Sequence, residues 1–304
     1  MNQSPVGKGI SVIVPTRNRH HYLANFLASL NTQTRLPDEL IIIDASDTED
    51  TRTMIETKDD FLPFEVIYKR EAPGSARQRN IGFRISGGSY LFFFDDDVIL
   101  EPDYIGTVCD TFSKHRKEQL GGITGKITNI RRDPSAWDRA FKRIFLLSDL
   151  GEGHVKLSGF PSLRIGDEPS YVEILSGCNM TYPREVFSQF LFDERLTGYS
   201  YMEDIDLSFR VGKRYPLYYQ PRARLEHHPS AYRTHDQREL RKMMIQNHRY
   251  LFRKNQPQDL PHILSHWISI LGVFLYNVLF QRDFMAASGV FEGLREPLNV
   301  EENL

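Results

Sequence analysis

Tyr90-Leu91-Phe92-Phe93-Phe94-Asp95-Asp96-Asp97 runs from five large, mostly apolar side chains straight into three carboxylates. A strand this apolar is expected to be covered on both faces. Its interior would not tolerate three unpaired charges. The aspartates therefore belong at the open carboxyl end of a buried strand, where they meet something cationic. Asp95 and Asp97 stand two apart and, on extended backbone, point the same way. A hard divalent cation, Mn²⁺ or Mg²⁺, accepts such oxygen ligands and would bridge to phosphate oxygens. The competing reading of the triplet alone is an acidic turn capping the helix that starts near Pro102.

Working outward, Ile10-Ser11-Val12-Ile13-Val14-Pro15 predicts a first buried strand, closed by the polar loop Thr16-Arg17-Asn18-Arg19. Leu23, Phe26, Leu27 and Leu30 recur at helical spacing. Leu40-Ile41-Ile42-Ile43 predicts a second strand, which ends in Asp44-Ala45-Ser46-Asp47, with a helix starting near Thr48. A third strand is expected over 65–68 and a helix over 75–85. Strands alternating with helices at this spacing give an α/β fold with a mainly parallel, Rossmann-like sheet flanked by helices. Ligands bind at the carboxyl ends of such strands, and the polar clusters at 16–19, 44–47 and 95–97 each fall at one. Over 130–170 the pattern weakens and reads as a variable acceptor-side insertion; order returns at 171–175 and 217–220. The expected division is a sheet domain over 1–230 and a helical C-terminal extension over 231–304.

The 304 residues, 40% hydrophobic and 26% charged, are ordinary for a globular chain. A net charge of -2 excludes wholesale electrostatic capture of nucleic acid, so no nucleic-acid partner is expected. Cys109 and Cys178 stand in apolar segments and read as buried small hydrophobes, pointing to a reducing compartment. The first nine residues are short and polar, unlike a secretory signal, and a cytoplasmic location is expected.

With these motifs in hand, the chain resembles the family 2 glycosyltransferases of GT-A fold. Val12-Ile13-Val14-Pro15-Thr16-Arg17-Asn18-Arg19 resembles that family's first strand and donor loop. Ile42-Ile43-Asp44-Ala45-Ser46-Asp47 is similar to its second-strand motif, with Ala45 where a second acid is usual. Ala76-Arg77-Gln78-Arg79-Asn80-Ile81-Gly82 resembles its arginine-asparagine helix start, and 94–98 its DXD-type metal site. Leu175-Ser176-Gly177-Cys178-Asn179-Met180 resembles the loop facing donor sugar and acceptor. Tyr201-Met202-Glu203-Asp204-Ile205-Asp206-Leu207 resembles the catalytic acidic pair.

The resemblance implies a nucleotide-sugar donor (a UDP-, GDP- or dTDP-sugar) and inverting transfer. Pro15, Thr16, Arg17, Asp44 and Ser46 would line the nucleoside pocket, and Arg79 would approach the diphosphate with a guanidinium fork. Asp95 would reach ribose or metal, Asp96 would belong to the donor-binding site, Asp97 would be the principal metal ligand, and Gly177 and Asn179 would face the sugar. Asp204 would be the base that takes the acceptor hydroxyl's proton, with Glu203 positioning it. Adjacent helical residues point about 100° apart, so the two cannot share one job. Without the resemblance, the pair reads as an acidic helix N-terminus. His227 matches a metal-binding histidine of some family members; a packing histidine is the alternative.

In the C-terminal third, 263–280 is free of formal charge if His266 is neutral. Ser265, Ser269, Gly272 and Tyr276 form one stripe, with His266 and Asn277 beside it, which suits a helix packed on protein or lying in a membrane interface. The preceding basic segment, Arg233 to Lys254, predicts attachment to an anionic membrane surface as a peripheral protein. The acceptor is then a glycan or a lipid-linked sugar; a buried core helix or a homodimer interface is the competing use. A sugar-phosphate nucleotidyltransferase would need a glycine-rich loop after the first strand, and Thr16-Arg17-Asn18-Arg19 has no glycine. A catalytically silent glycan- or lipid-binding module has no need of convergent carboxylates. A dinucleotide-binding dehydrogenase lacks its glycine fingerprint.

Overall fold

The computed structural model describes residues 9–57, 62–130, 135–198, 200–229 and 236–296. The chain divides into two compact units, one of residues 1–130 and 166–228, the other of 131–165 and 229–304. Most of the segment expected as an insertion in the sheet domain thus belongs with the C-terminal helices.

In the first unit β1 (Ile10–Thr16), α1 (His20–Asn31), β2 (Glu39–Asp44), α2 (Asp50–Glu56), β3 (Glu65–Arg70), α3 (Ser75–Ile85) and β4 (Tyr90–Phe94) alternate. Strands β1 to β4 run parallel in the order β3-β2-β1-β4. Val12, Val14, Phe92 and Phe94 face one core, while Ile13, Leu91 and Phe93 face the other. Burial on both faces is why these strands show no polar alternation, and each buried Phe contributes roughly 1.5–3 kcal/mol. After the aspartates come β5 (Val98–Leu100), α4 (Tyr104–Lys114) and β6 (Gly122–Ile127).

Next in sequence, in the second unit, are α5 (Ala136–Ile144) and a small sheet of β7 (Asp149–Gly151), β8 (His154–Val155) and β9 (Pro161–Arg164). β10 (Ser170–Val172), β11 (Asn179–Pro183), α6 (Arg184–Phe187), α7 (Glu203–Gly212) and β12 (Leu217–His227) then complete the first unit. Its sheet, ordered β10-β12-β6-β11-β4-β1-β2-β3, is mainly parallel and flanked by helices.

Two departures from the parallel pattern build the site. β11 runs antiparallel to β4, so Asn179 pairs with Phe94 and the loop before it lands beside the aspartates. β12 follows β6, slips register between Gln220 and Arg224, and then pairs with β5. Pro221 sits at the slip, where a strand tolerates a residue without an N–H. The second half of β12 places His227 opposite Val98, next door to Asp97.

The second unit ends in α8 (Gln237–Asn255), α9 (Leu260–Tyr276), a π-helical turn (Asn277–Gln281) and α10 (Phe284–Arg295). The basic segment read from sequence is α8 in its described part; Arg233 lies outside the described residues. Arg238 and Lys242 of α8 pair with Glu292 and Glu296. A Cβ on Gly289 would lie 2.2 Å from the Arg238 carbonyl oxygen, so only glycine permits this close helix approach. On α9 the buried residues are Ser265, His266, Ser269, Ile270, Gly272 and Val273, followed by Asn277 in the turn. Phe160, His248, His266 and Phe252 stack in series, with successive centroids 3.9, 4.8 and 4.2 Å apart. Burial pushes His248 down to about 3 and His266 down to about 4. Both rings are therefore neutral near pH 7, and 263–280 carries no charge.

Candidate active site

The carboxyl ends of β1, β2 and β4, the start of β11, the first turn of α7 and the end of β12 meet at one edge of the sheet. Asp95, Asp97 and His227 each offer a ligand atom there, all within 4.8 Å of one another. His227 Nε2 lies 3.2 Å from Asp97 Oδ1, and the Asp97 carbonyl accepts from the His228 N–H at 2.9 Å. Burial opposes a charge on His227, but Cys178, Asp97 and Asp95 outweigh it and raise its pKa to about 11. The same negative surroundings that favour a proton on His227 would favour a dication, which needs the imidazole neutral. Two carboxylates and an imidazole fit Mn²⁺ or Mg²⁺, the nitrogen favouring the former.

Asp96 turns the other way. It is buried, accepts from Thr16 Oγ1 at 2.6 Å, and pairs with Arg19 at 2.8 Å. Burial raises its carboxyl to about 7 against the pull of Arg19. The expectation that Asp96 meets the donor therefore changes: its oxygens anchor the loop after β1. The second arm of Arg19 reaches Asp97 Oδ2 at 3.2 Å, leaving Oδ1 toward His227. No motif in the sequence marks Arg19; its signal is position, since it directly precedes α1 and so folds back over the strand ends.

Asp44 is fully buried. Its Oδ1 accepts from the N–H and hydroxyl of Ser46, and its Oδ2 from the Tyr68 hydroxyl at 2.8 Å. Ser46 also accepts from the Asn18 N–H at 2.7 Å, and Asn18 holds Asp47 through its side chain. These contacts fix Asn18 at φ 55, a left-handed position that asparagine tolerates. Pro15 and Thr16 are buried, whereas Arg17 is exposed and lies 3.5 Å from Asp47. Asn179 is also fully buried, its Oδ1 accepting from Thr124 Oγ1 at 2.5 Å and the Gly125 N–H at 2.7 Å. It brackets β6 and β11 instead of facing open space. The signal for this was its place as the first residue of a buried strand.

Arg79, on α3, lies beneath the site and is almost wholly buried. It pairs with Asp95 at 2.7 Å and with Glu203, and donates to the Gly177 carbonyl at 3.3 Å. Met202, held at φ 75, starts α7 from a strained left-handed backbone that turns Glu203 and Asp204 into the site. Glu203 points inward to Arg79. Asp204 is half-buried and accepts from the Gly177 N–H at 2.8 Å and from the Ile205 N–H at 2.9 Å. A Cβ on Gly177 would come within 2.9 Å of Asp204 Oδ2, so a side chain there would push the carboxylate out of its present place. Burial raises both carboxyls, Glu203 and Asp204, against the opposing pull of Arg79.

This architecture is shared with solved glycosyltransferases. GalNAc-T7, crystallised with UDP, GalNAc and Mn²⁺, superposes with TM-score 0.58 at 17% identity, over 74% of this chain and 44% of that one. Staphylococcus aureus TarS 1–349 gives 0.52 at 16% identity over 95% of this chain and 81% of that one. Among sequences, abequosyltransferase RfbV of Salmonella typhimurium is 28% identical over 204 residues, 63% of this chain and 58% of that relative. An uncharacterized glycosyltransferase of Haemophilus influenzae is 38% identical over 94 residues, 31% of each chain. The chain thus spans less than two thirds of the length of either. The glycosyl transferase family 2 model matches residues 11–191, more than half of the chain and every element from β1 to α6 that frames the site. The chain belongs to glycosyl transferase family 2.

Proposed function

We propose that this chain moves a sugar with inversion from a nucleoside diphosphate donor to a hydroxyl of a glycan or lipid-linked acceptor, assisted by a divalent cation. One guanidinium carries the reading. Arg79 ties Asp95 of the cation cluster to Glu203 and to the Gly177 carbonyl, while the Gly177 N–H holds Asp204. A leaving-group site and a carboxylate base thus share a single buried strut.

In this reading Asp95, Asp97 and His227 would hold Mn²⁺ or Mg²⁺, which would supply Lewis-acid stabilisation to a departing diphosphate. Asp204 accepts the acceptor hydroxyl's proton as that oxygen bonds the anomeric carbon from the face opposite the diphosphate. The bond to the diphosphate breaks with its electron pair, so configuration inverts. Glu203, fixed by Arg79, positions Asp204 and the acceptor. Thr16, Arg17 and Ser46 frame the nucleoside, with Asp44 shaping that wall through Ser46 and Tyr68. A lipid-linked acceptor would be met at the cytoplasmic face of a membrane.

Calorimetric titration with UDP, GDP, dTDP and CDP tests the donor site. One nucleotide should bind with Mn²⁺ and lose its affinity in chelator. If none binds in either condition, a catalytically silent glycan- or lipid-binding module becomes the better reading.

The pH profile tests the base. Burial holds the Asp204 carboxyl above its usual range. The base works only when ionised, so kcat at saturating metal should fall as pH drops through that raised pKa. The acid limb should therefore lie above pH ~4, where an exposed aspartate titrates. A kcat that stays flat down to that pH removes Asp204 from the role.

A further inference from the structure

Helix α9 buries a mixed face and exposes an apolar one. Ser265, His266, Ser269, Ile270, Gly272 and Val273 are buried, yet five large apolar residues of the same helix face outward. Leu260, Leu264, Trp267, Ile268 and Leu271 follow one another at helical spacing and are all exposed. The stripe continues through Leu279 and Phe280 of the π turn to Phe284 and Met285 at the start of α10. Phe141 of α5 stacks on Tyr276 and Phe280, which brings exposed Trp137 and Ile144 of α5 into the same neighbourhood. A water-exposed apolar stretch of this extent marks an interaction surface.

We propose that this face docks on an anionic lipid bilayer, lying in the interface without crossing it. Charge complementarity selects the occupant. Exposed Arg139 and Arg143 accompany Trp137 and Ile144 on α5, and exposed Arg282 stands between Phe280 and Phe284. An apolar face bordered by arginines suits anionic headgroups. A second copy seated symmetrically on the same face would set these arginines against their own counterparts.

The chain has only two tryptophans, and both lie here, Trp137 at 80% and Trp267 at 53% exposure. Indole rings are favoured at the headgroup boundary. The stretch Leu260–Gln281 is long and apolar enough to span a bilayer. Its polar side is nonetheless packed on protein: a Cβ on Gly272 would strike Phe145, His266 stacks on Phe252, and Tyr276 donates to Asp138. That attachment keeps the helix parallel to the surface. The element that meets lipid is therefore α9 with its neighbours. On the basic helix α8, Arg238 and Lys242 are paired with Glu292 and Glu296 of α10.

The test is sedimentation of the full chain with phosphatidylcholine vesicles containing roughly a quarter phosphatidylglycerol, at low ionic strength. Tryptophan emission is followed in parallel. The protein should pellet, its emission should shift to the blue, and lipids brominated on their acyl chains should quench it. The double variant Trp267→Gln, Leu271→Gln should lose partitioning by on the order of tenfold or more. Unchanged nucleotide binding in that variant shows that the fold stands, and keeps this inference separable from the donor site. Protein left in the supernatant overturns the proposal, as does pelleting without quenching. A dimer in velocity sedimentation that the double variant dissociates, with vesicle binding unchanged, assigns the face to a second copy instead.

Discussion

Asp204→Asn should bind nucleotide and metal as the parent does and lose roughly 10² to 10⁴ of kcat, the scale of a missing general base. The amide keeps the shape of the carboxyl, and its oxygen can still accept from the Gly177 N–H. The loop between β10 and β11 should therefore stay in place. What disappears is the capacity to take a proton. Because donor contacts are untouched, KM for the nucleotide-sugar should hold while kcat falls, the pattern of an interaction made only in the transition state. Glu203 cannot substitute, since it is turned to Arg79. Single-turnover transfer at the parent's rate would sink the assignment.

Asp97→Ala should abolish metal-dependent nucleotide binding and reduce transfer by on the order of 10³ or more, as several kcal/mol of cationic stabilisation of the diphosphate are lost. Asp95 and His227 alone leave an incomplete donor set. The diagnostic control is thermal. Asp97 is buried and paired with Arg19 and His227, so its removal takes a partner from two cations and should lower Tm. Asp95 and Asp96 remain beside those cations, so the drop should be modest and unfolding should stay cooperative. Loss of binding with a cooperative transition separates chemistry from unfolding; metal-dependent binding at parental affinity would remove Asp97 from the cluster.

Much of this arrangement was legible because burial writes itself into composition. β1, β2 and β4 are continuous apolar runs, and each stops where the sheet opens to a site. The small-residue stripe on α9 likewise announced its buried side. What could not be read was closure in three dimensions. His227 reaches Asp97 through the pairing of β12 with β5, after a register slip at Pro221, and no local pattern encodes that neighbour. Asp96 and Asn179 have the residue types of ligand contacts, yet their oxygens are turned to Thr16 and Arg19 and to Thr124 and Gly125. Arg238 and Lys242 of α8 read as solvated cations, yet Glu292 and Glu296 come to them from over fifty residues away. Residue type reports which chemistry is available, while direction comes from packing.

The second unit is assembled from two stretches of chain separated by the last strands of the first. During synthesis, Phe141, Phe145 and Phe160 emerge long before Phe252, His266 and Tyr276 exist to cover them. At ribosomal rates the wait is roughly 5 to 20 s, ample time for exposed aromatic surface to be captured by a chaperone or another nascent chain. The first unit carries no such delay after residue 228. Order of birth therefore divides the molecule: its sheet can close while its helical part still awaits the end of the message.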